Sequence, residues 1–198
     1  VGEGAETPPR LAVYRSAFWD QAMPDARQGF EQALSKLGRA GATLDEIQMP
    51  ELDQDLLQAC WTVTKFEGGR LLMYEWLHDR DRLSPAAALL VEESQAIGLE
   101  AYHAAQGRLE LGRQKLSERL AGFDGVLTLS AVGEAPLGLD DTGPVIFNFL
   151  WTVAYMPALN LPVLVGDSGL PVGLQLVGAK RGEHGLLCVG RWIERHLV

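Results

Sequence analysis

The chain has 198 residues, 22% of them charged, and a mean hydropathy of +0.01, an ordinary globular composition. Its 26 acidic against 17 basic residues give a formal net charge of -9, which disfavours nucleic acid as a partner because phosphates would be repelled. No apolar run approaches the roughly 18–20 residues of a membrane span, and Cys60 and Cys188 lie too far apart for a disulfide framework or a Cys-based zinc site.

Val1–Pro9 (VGEGAETPP) reads as linker. The first residue is Val1 and the first methionine Met23, with no signal-peptide pattern before it. The chain therefore reads as a processed product, an excised piece or part of a longer polypeptide, and reduced thiols point to a cytoplasmic location. Arg10–Arg15 is a β-type run. Pro24 suits a first helical turn, and Ala26, Phe30, Ala33, Leu34 and Leu37 then recur at helical spacing up to Gly41, a left-handed C-cap. Ala42–Met49 alternates as a strand. Strand, helix, strand with short connections predicts a βαβ unit over 10–50, with Leu11–Tyr14 and Thr43–Ile47 as neighbouring parallel strands.

Residues 52–120 read as a helical insert. One helix is predicted from about Asp53 to His78, with a stripe of Leu56, Ala59, Val63, Phe66, Arg70, Met73 and Leu77. A second begins at the Ser84-Pro85 cap and runs to Gly98, and a third runs from about Leu99 to Leu120. Gly68-Gly69 inside a helical pattern points to close helix packing, since each glycine costs about 1 kcal/mol there. From residue 122 to 198 the composition turns to Gly, Pro and β-branched residues. Phe123–Val132 reads as a buried strand, Gly133–Pro144 as a loop and Val145–Tyr155 as an apolar helix. Leu161–Gly166 and Leu170–Gly178 read as a hairpin around Asp167-Ser168-Gly169, and Glu183–Leu197 as an amphipathic helix. The prediction is one α/β unit: a mixed β-sheet flanked by helices.

Catalytic patterns are sparse. None of the seven serines sits in a G-x-S-x-G elbow, and His78, His103, His184 and His196 lack H-E-x-x-H spacing. Glu92-Glu93 cannot form a carboxylate dyad, because adjacent helical residues point apart. Asp140-Asp141 lies in a loop and reads as solvated or as a pocket rim. There is no P-loop and no dinucleotide fingerprint, so neither a cofactor nor a metal is expected.

Three segments in order, FDGVLTLSAVGEAP, FNFLWTVAYMPALNLPV and GLPVGLQLVGAKRGEHGLL, carry a likeness. The chain resembles the C-terminal part of the amidase signature family, through Asp124 to Thr128, Ala135-Pro136, Phe147-Asn148 with Trp151-Thr152, Pro157 with Pro162, and Gly169 to Gly178. RLAVYRSAFWDQA also looks like the segment after that family's catalytic core. The resemblance implies hydrolysis of C–N amide bonds by a serine activated through a second serine and a lysine, with backbone N–H groups stabilising the oxyanion. That machinery belongs to the family's N-terminal half. There is no Ser-Ser pair here, and Lys36, Lys65, Lys115 and Lys180 match no catalytic position, so no catalytic residue is expected in this chain.

What the resemblance does imply is a substrate pocket for a small amide: Ala131, Gly133 and Glu134 in the loop after the strand, then Asn148, Trp151 and Thr152, with Tyr155 at the pocket wall. Trp151, an aromatic on an apolar helix, reads as core more readily than as pocket. Leu129-Ser130 and Tyr155 depart from the family pattern, which usually has Pro-Thr or Pro-Ala and Gly there. Two readings stay open. One is the C-terminal portion of an amidase-type hydrolase, partnered by an N-terminal amidase half in the same or a separate chain, or forming a homo-oligomer. The other is a non-catalytic amidase-derived α/β partner domain.

Overall fold

A computed structural model describes residues 7–198, apart from the side chains of residues 50–53. The expected linker therefore lies, as far as Glu6, outside the described residues. Strand β1 (Arg10–Tyr14) leads into helix α1 (Pro24–Arg39) and strand β2 (Thr43–Ile47). The two strands pair in parallel, Leu11 with Leu44 and Tyr14 with Ile47, as the βαβ pattern requires. Pro24 opens α1, and Ala26, Phe30, Ala33, Leu34 and Leu37 form its buried face. The helix ends in a Schellman turn: Ala42 N–H donates to Leu37 O at 3.1 Å and Gly41 N–H to Gly38 O at 3.0 Å. Gly41 has φ +102°, the left-handed geometry that favours glycine.

Arg15 ties this unit together at the end of β1. Its guanidinium pairs with Glu31 of α1 at 2.7 Å and with Glu46 of β2, over the rings of Trp19 and Phe30. Burial alone lowers its pKa, and the hydrogen bonds and charges of Glu46 and Glu31 outweigh that, so the net shift is upward.

Four helices follow: α2 (Pro50–Leu71), α3 (Met73–His78), α4 (Pro85–Gln95) and α5 (Leu99–Arg119). The single helix predicted to His78 is broken at Leu72, and Leu77 at the end of the predicted stripe is 69% exposed. Of the stripe, Leu56, Ala59 and Phe66 are buried, whereas Arg70 and Leu77 are exposed, so the stripe holds together only its first half. Helix α4 is capped as its sequence predicts, with Ser84 Oγ accepting from Ala87 N–H at 3.2 Å, and it ends at Gln95, three residues short of Gly98. Gly69 is the contact point of α2 and α4. A Cβ there would overlap the Ser94 side chain and come within 3.2 Å of the Leu90 carbonyl. Gly69→Ala is therefore expected to destabilise the chain by about 1–3 kcal/mol, although the same change on an exposed helix stabilises by about 1 kcal/mol. Urea midpoints of the two forms check this, and a rise would show that the helices are not in close contact.

Strand β3 (Gly125–Leu129), buried at every position, pairs in parallel with β1. After a long loop come the short helix α6 (Phe149–Val153), the strands β4 (Ala158–Val165) and β5 (Pro171–Val177), and helix α7 (Glu183–Leu197). The sheet order is β2-β1-β3-β5-β4, with β5 antiparallel to both β3 and β4. It is the expected mixed sheet. Alternate side chains divide between its faces. Leu11, Val13, Leu127, Leu129, Leu174 and Leu176 pack with α1 and α7, whereas Ala12, Tyr14, Val126 and Val177 pack with α2, α5 and α6.

Two predicted spans are too long. Strand β3 covers only Gly125–Leu129 of Phe123–Val132. The helix expected over Val145–Tyr155 is five residues, Phe149–Val153. It stops in a second Schellman turn: Met156 N–H donates to Trp151 O at 3.1 Å, Tyr155 N–H to Thr152 O at 3.2 Å, and Tyr155 has φ +56°. This explains why a glycine would be natural at 155. Tyr155 accepts the strained conformation with its ring beneath the Arg113 guanidinium, 4.1 Å from the centroid.

Candidate functional site

The loop leaving β3 crosses the start of α1 and the β4–β5 turn, and between them lies an open groove of about 820 Å³. Its walls are the stretches 130–137 and 141–144, Met23 to Asp25, Asn160, Asp167-Ser168, Pro171 and Gly173. Ala131, Gly133 and Glu134 all line it. Gly133 lets the loop approach Met23, whose N–H donates to Val132 O at 2.6 Å; a Cβ at 133 would come to 2.5 Å from Met23 Sδ. Glu134 bridges to the turn, its Oε1 accepting from the N–H groups of Ser168 at 3.0 Å and Leu170 at 2.9 Å. Asp25 does the same from α1, with Oδ2 accepting from Asp167 N–H at 2.9 Å. Two carboxylates thus hold the groove's rim to backbone donors.

Asn148 stands behind the groove rather than in it. Its Nδ2 donates to Ser130 O at 2.7 Å, and its Oδ1 accepts from Gln175 Nε2 at 2.6 Å. The side chain ties β5 to the point where the loop leaves β3, so its effect on the groove passes through Ser130. The remaining expected pocket residues are elsewhere. Trp151 is 2% exposed, edge-on to Tyr14 at 5.6 Å between ring centroids. Thr152 is exposed, with Oγ1 donating to Asn148 O at 3.2 Å. Tyr155 is exposed between Arg113 and Lys180.

Sequence reasoning missed the polar row that crosses the sheet next to the groove. Thr128, Gln175 and Asn160 are register partners on β3, β5 and β4. A glutamine within LPVGLQLVG was the available signal. Gln175 is 6% exposed, and its Oε1 is the buried side-chain polar atom without a hydrogen-bond partner among the described residues. Ser130 Oγ donates to Gly173 O at 3.2 Å. Among the described residues no lysine or histidine lines the groove, so Ser130 and Ser168 have no basic side chain beside them there. Lys65 pairs with Glu93 at 2.8 Å, at a second open groove of about 840 Å³ between α2 and α4 that none of the expected pocket residues lines. No group of three His, Cys, Asp or Glu side chains among the described residues could hold a metal ion. No helix among them is long and apolar enough to cross a membrane.

A family model described as Amidase matches residues 2–187, so the chain belongs to the amidase family. A glutamyl-tRNA(Gln) amidotransferase subunit of Ralstonia pickettii (strain 12J) is 26% identical over 203 residues, which cover 85% of this chain and 41% of that protein. A crystal structure of an amidase shares the fold at a TM-score of 0.87, with 23% identity over 99% of this chain and 47% of the other. A structure from a vestigial complex, reported for the origins of an s-triazine catabolic enzyme, matches at 0.81 and 21% identity, over 96% and 44% of the two chains. The chain thus spans about half the length of the relatives it matches.

Proposed function

We propose that this chain is the C-terminal portion of a hydrolase acting on C–N amide bonds, and that its groove forms part of the substrate wall. Family membership supports amide chemistry. The observation that carries the division of labour is the groove itself: the family-motif loop 130–136 lines it, yet no lysine or histidine among the described residues does. Attack on an amide needs a nucleophile, a base to take its proton, and donors for the oxyanion. On this reading all three come from an N-terminal amidase portion, in the same polypeptide or a separate one. The present residues hold and orient the amide. Ala131, Gly133 and Glu134 contact it, and Asn148 sets the loop through Ser130. Free Cys60 and Cys188 fit a reducing, cytoplasmic setting.

A non-catalytic partner domain is the second reading, favoured by Ser130 and by the strained Tyr155 at a glycine position. Assays on simple aryl and alkyl amides test both. The 198-residue chain alone is expected to show no hydrolysis above buffer, and co-expression with an N-terminal amidase portion bearing the Ser-Ser-Lys set is expected to restore it. Hydrolysis by the chain alone, lost in Ser130→Ala or Ser168→Ala, would overturn the proposal. A failure of complementation would favour the partner domain.

A further inference from the structure

The groove carries charge of one sign. Asp25, Glu134, Asp141 and Asp167 all line it, and among the described residues no lysine, arginine or histidine does. Three of the four carboxylates accept backbone hydrogen bonds that hold them in place. Asp25 accepts from Ala26 N–H at 2.8 Å and from Asp167 N–H at 2.9 Å, and Asp141 accepts from Gly143 N–H at 2.9 Å. Glu134 is held by Ser168 and Leu170, as described. Amide N–H dipoles offset only part of a full negative charge, and the chain's net -9 adds a field of the same sign. The rest of the lining is neutral. Ser130, Thr142, Asn160 and Ser168 offer hydrogen bonds, and Met23 and Leu137 offer apolar surface.

Resting on the reading of this groove as an amide-binding wall, we propose that it selects neutral or cationic amides and rejects amides that carry a carboxylate or phosphate. At about 8 Å, one carboxylate weakens the binding of an incoming anion roughly two- to thirtyfold between aqueous and protein-surface screening. Four together with no compensating cation give at least a tenfold bias. The chain would then share the amide chemistry of its family while excluding acidic substrates, including any presented on a nucleic acid.

Ligand-observed saturation-transfer NMR on the 198-residue chain tests this, and it reads binding whatever the assembly state. The probes are benzamide, 4-(aminomethyl)benzamide and 4-carbamoylbenzoate, which differ mainly in charge. At about 20 mM salt the carboxylate is expected to bind at least tenfold more weakly than benzamide, and the amine as tightly or more tightly; about 0.5 M salt narrows the gap. The double variant Asp141→Asn/Asp167→Asn keeps an oxygen acceptor at 141 for Gly143 N–H. It is expected to narrow the carboxylate-to-amine ratio roughly fivefold, with benzamide as the neutral reference in each form. Equal or tighter binding of the carboxylate, or a ratio untouched by the double variant, would overturn the selectivity and leave the amide-wall reading standing. Failure of all three probes to bind would remove the amide-wall reading and the selectivity with it.

Discussion

Purified alone at micromolar concentration, the chain is expected to run as a dimer or larger species, or to bind a hydrophobic dye, rather than as an inert 21.6 kDa monomer. Sheet order leaves β4 as an edge strand whose second hydrogen-bonding side has no strand partner among the described residues. The edge is eight residues long, broken by a register shift between Leu161 and Leu164, and ends in the 66% exposed Val165. Such an edge invites pairing. Apolar side chains add to it: Leu71, Tyr74 and Leu77 stand out from α2 and α3, and Leu137 and Leu139 from the loop beside the groove. Re-covering even 800 Å² of apolar surface yields on the order of 20 kcal/mol gross, much of it offset by association and ordering costs. Size-exclusion chromatography with light scattering reads the outcome. A monodisperse monomer without dye binding would show that the exposed strand and leucines are compatible with a self-sufficient domain.

The fold was legible wherever local signals and tertiary contacts agree. Pro24, the 26-30-33-34-37 face and Gly41 each act within one helix, and the structure uses each for the expected reason. The Ser84-Pro85 cap and the Glu183–Leu197 face are of the same kind. Legibility ends where an element depends on distant partners. Val145–Tyr155 is apolar apart from Asn148 and Thr152 and has no period to mark its ends; a left-handed Tyr155 and Asn148, drawn to Ser130 and Gln175, set them. The groove was legible only through the family motif, which located Ala131, Gly133 and Glu134. Asp25 and Asp167 escaped because they are 142 residues apart in sequence and meet through one backbone hydrogen bond. Gln175 escaped because its strand reads as buried from the leucines and valines around it.

Trp151→Ala is expected to destabilise the chain by about 3–5 kcal/mol, the cost of removing a buried large aromatic side chain. The residue is the clearest case in which position on a motif and position in the fold point different ways. The motif puts it beside the pocket, whereas the structure buries it to 2% against Tyr14 of β1, among Leu150, Val153 and the α2 and α5 residues of that core. Its ring bridges α6 to the sheet, and α6 carries Asn148 at its N-terminal end. Losing the ring would therefore also loosen the Asn148 bridge to Ser130 that positions the groove loop. Trp151→Phe, which keeps an edge-on aromatic contact with Tyr14, is expected to restore much of the loss. Urea unfolding of the three forms under matched conditions measures the difference, with the slope compared so that a change in cooperativity is not read as a change in stability. An alanine variant within about 0.5 kcal/mol of the parent would place Trp151 in the loosely packed surface class. It would return the residue to the pocket wall that the motif suggests.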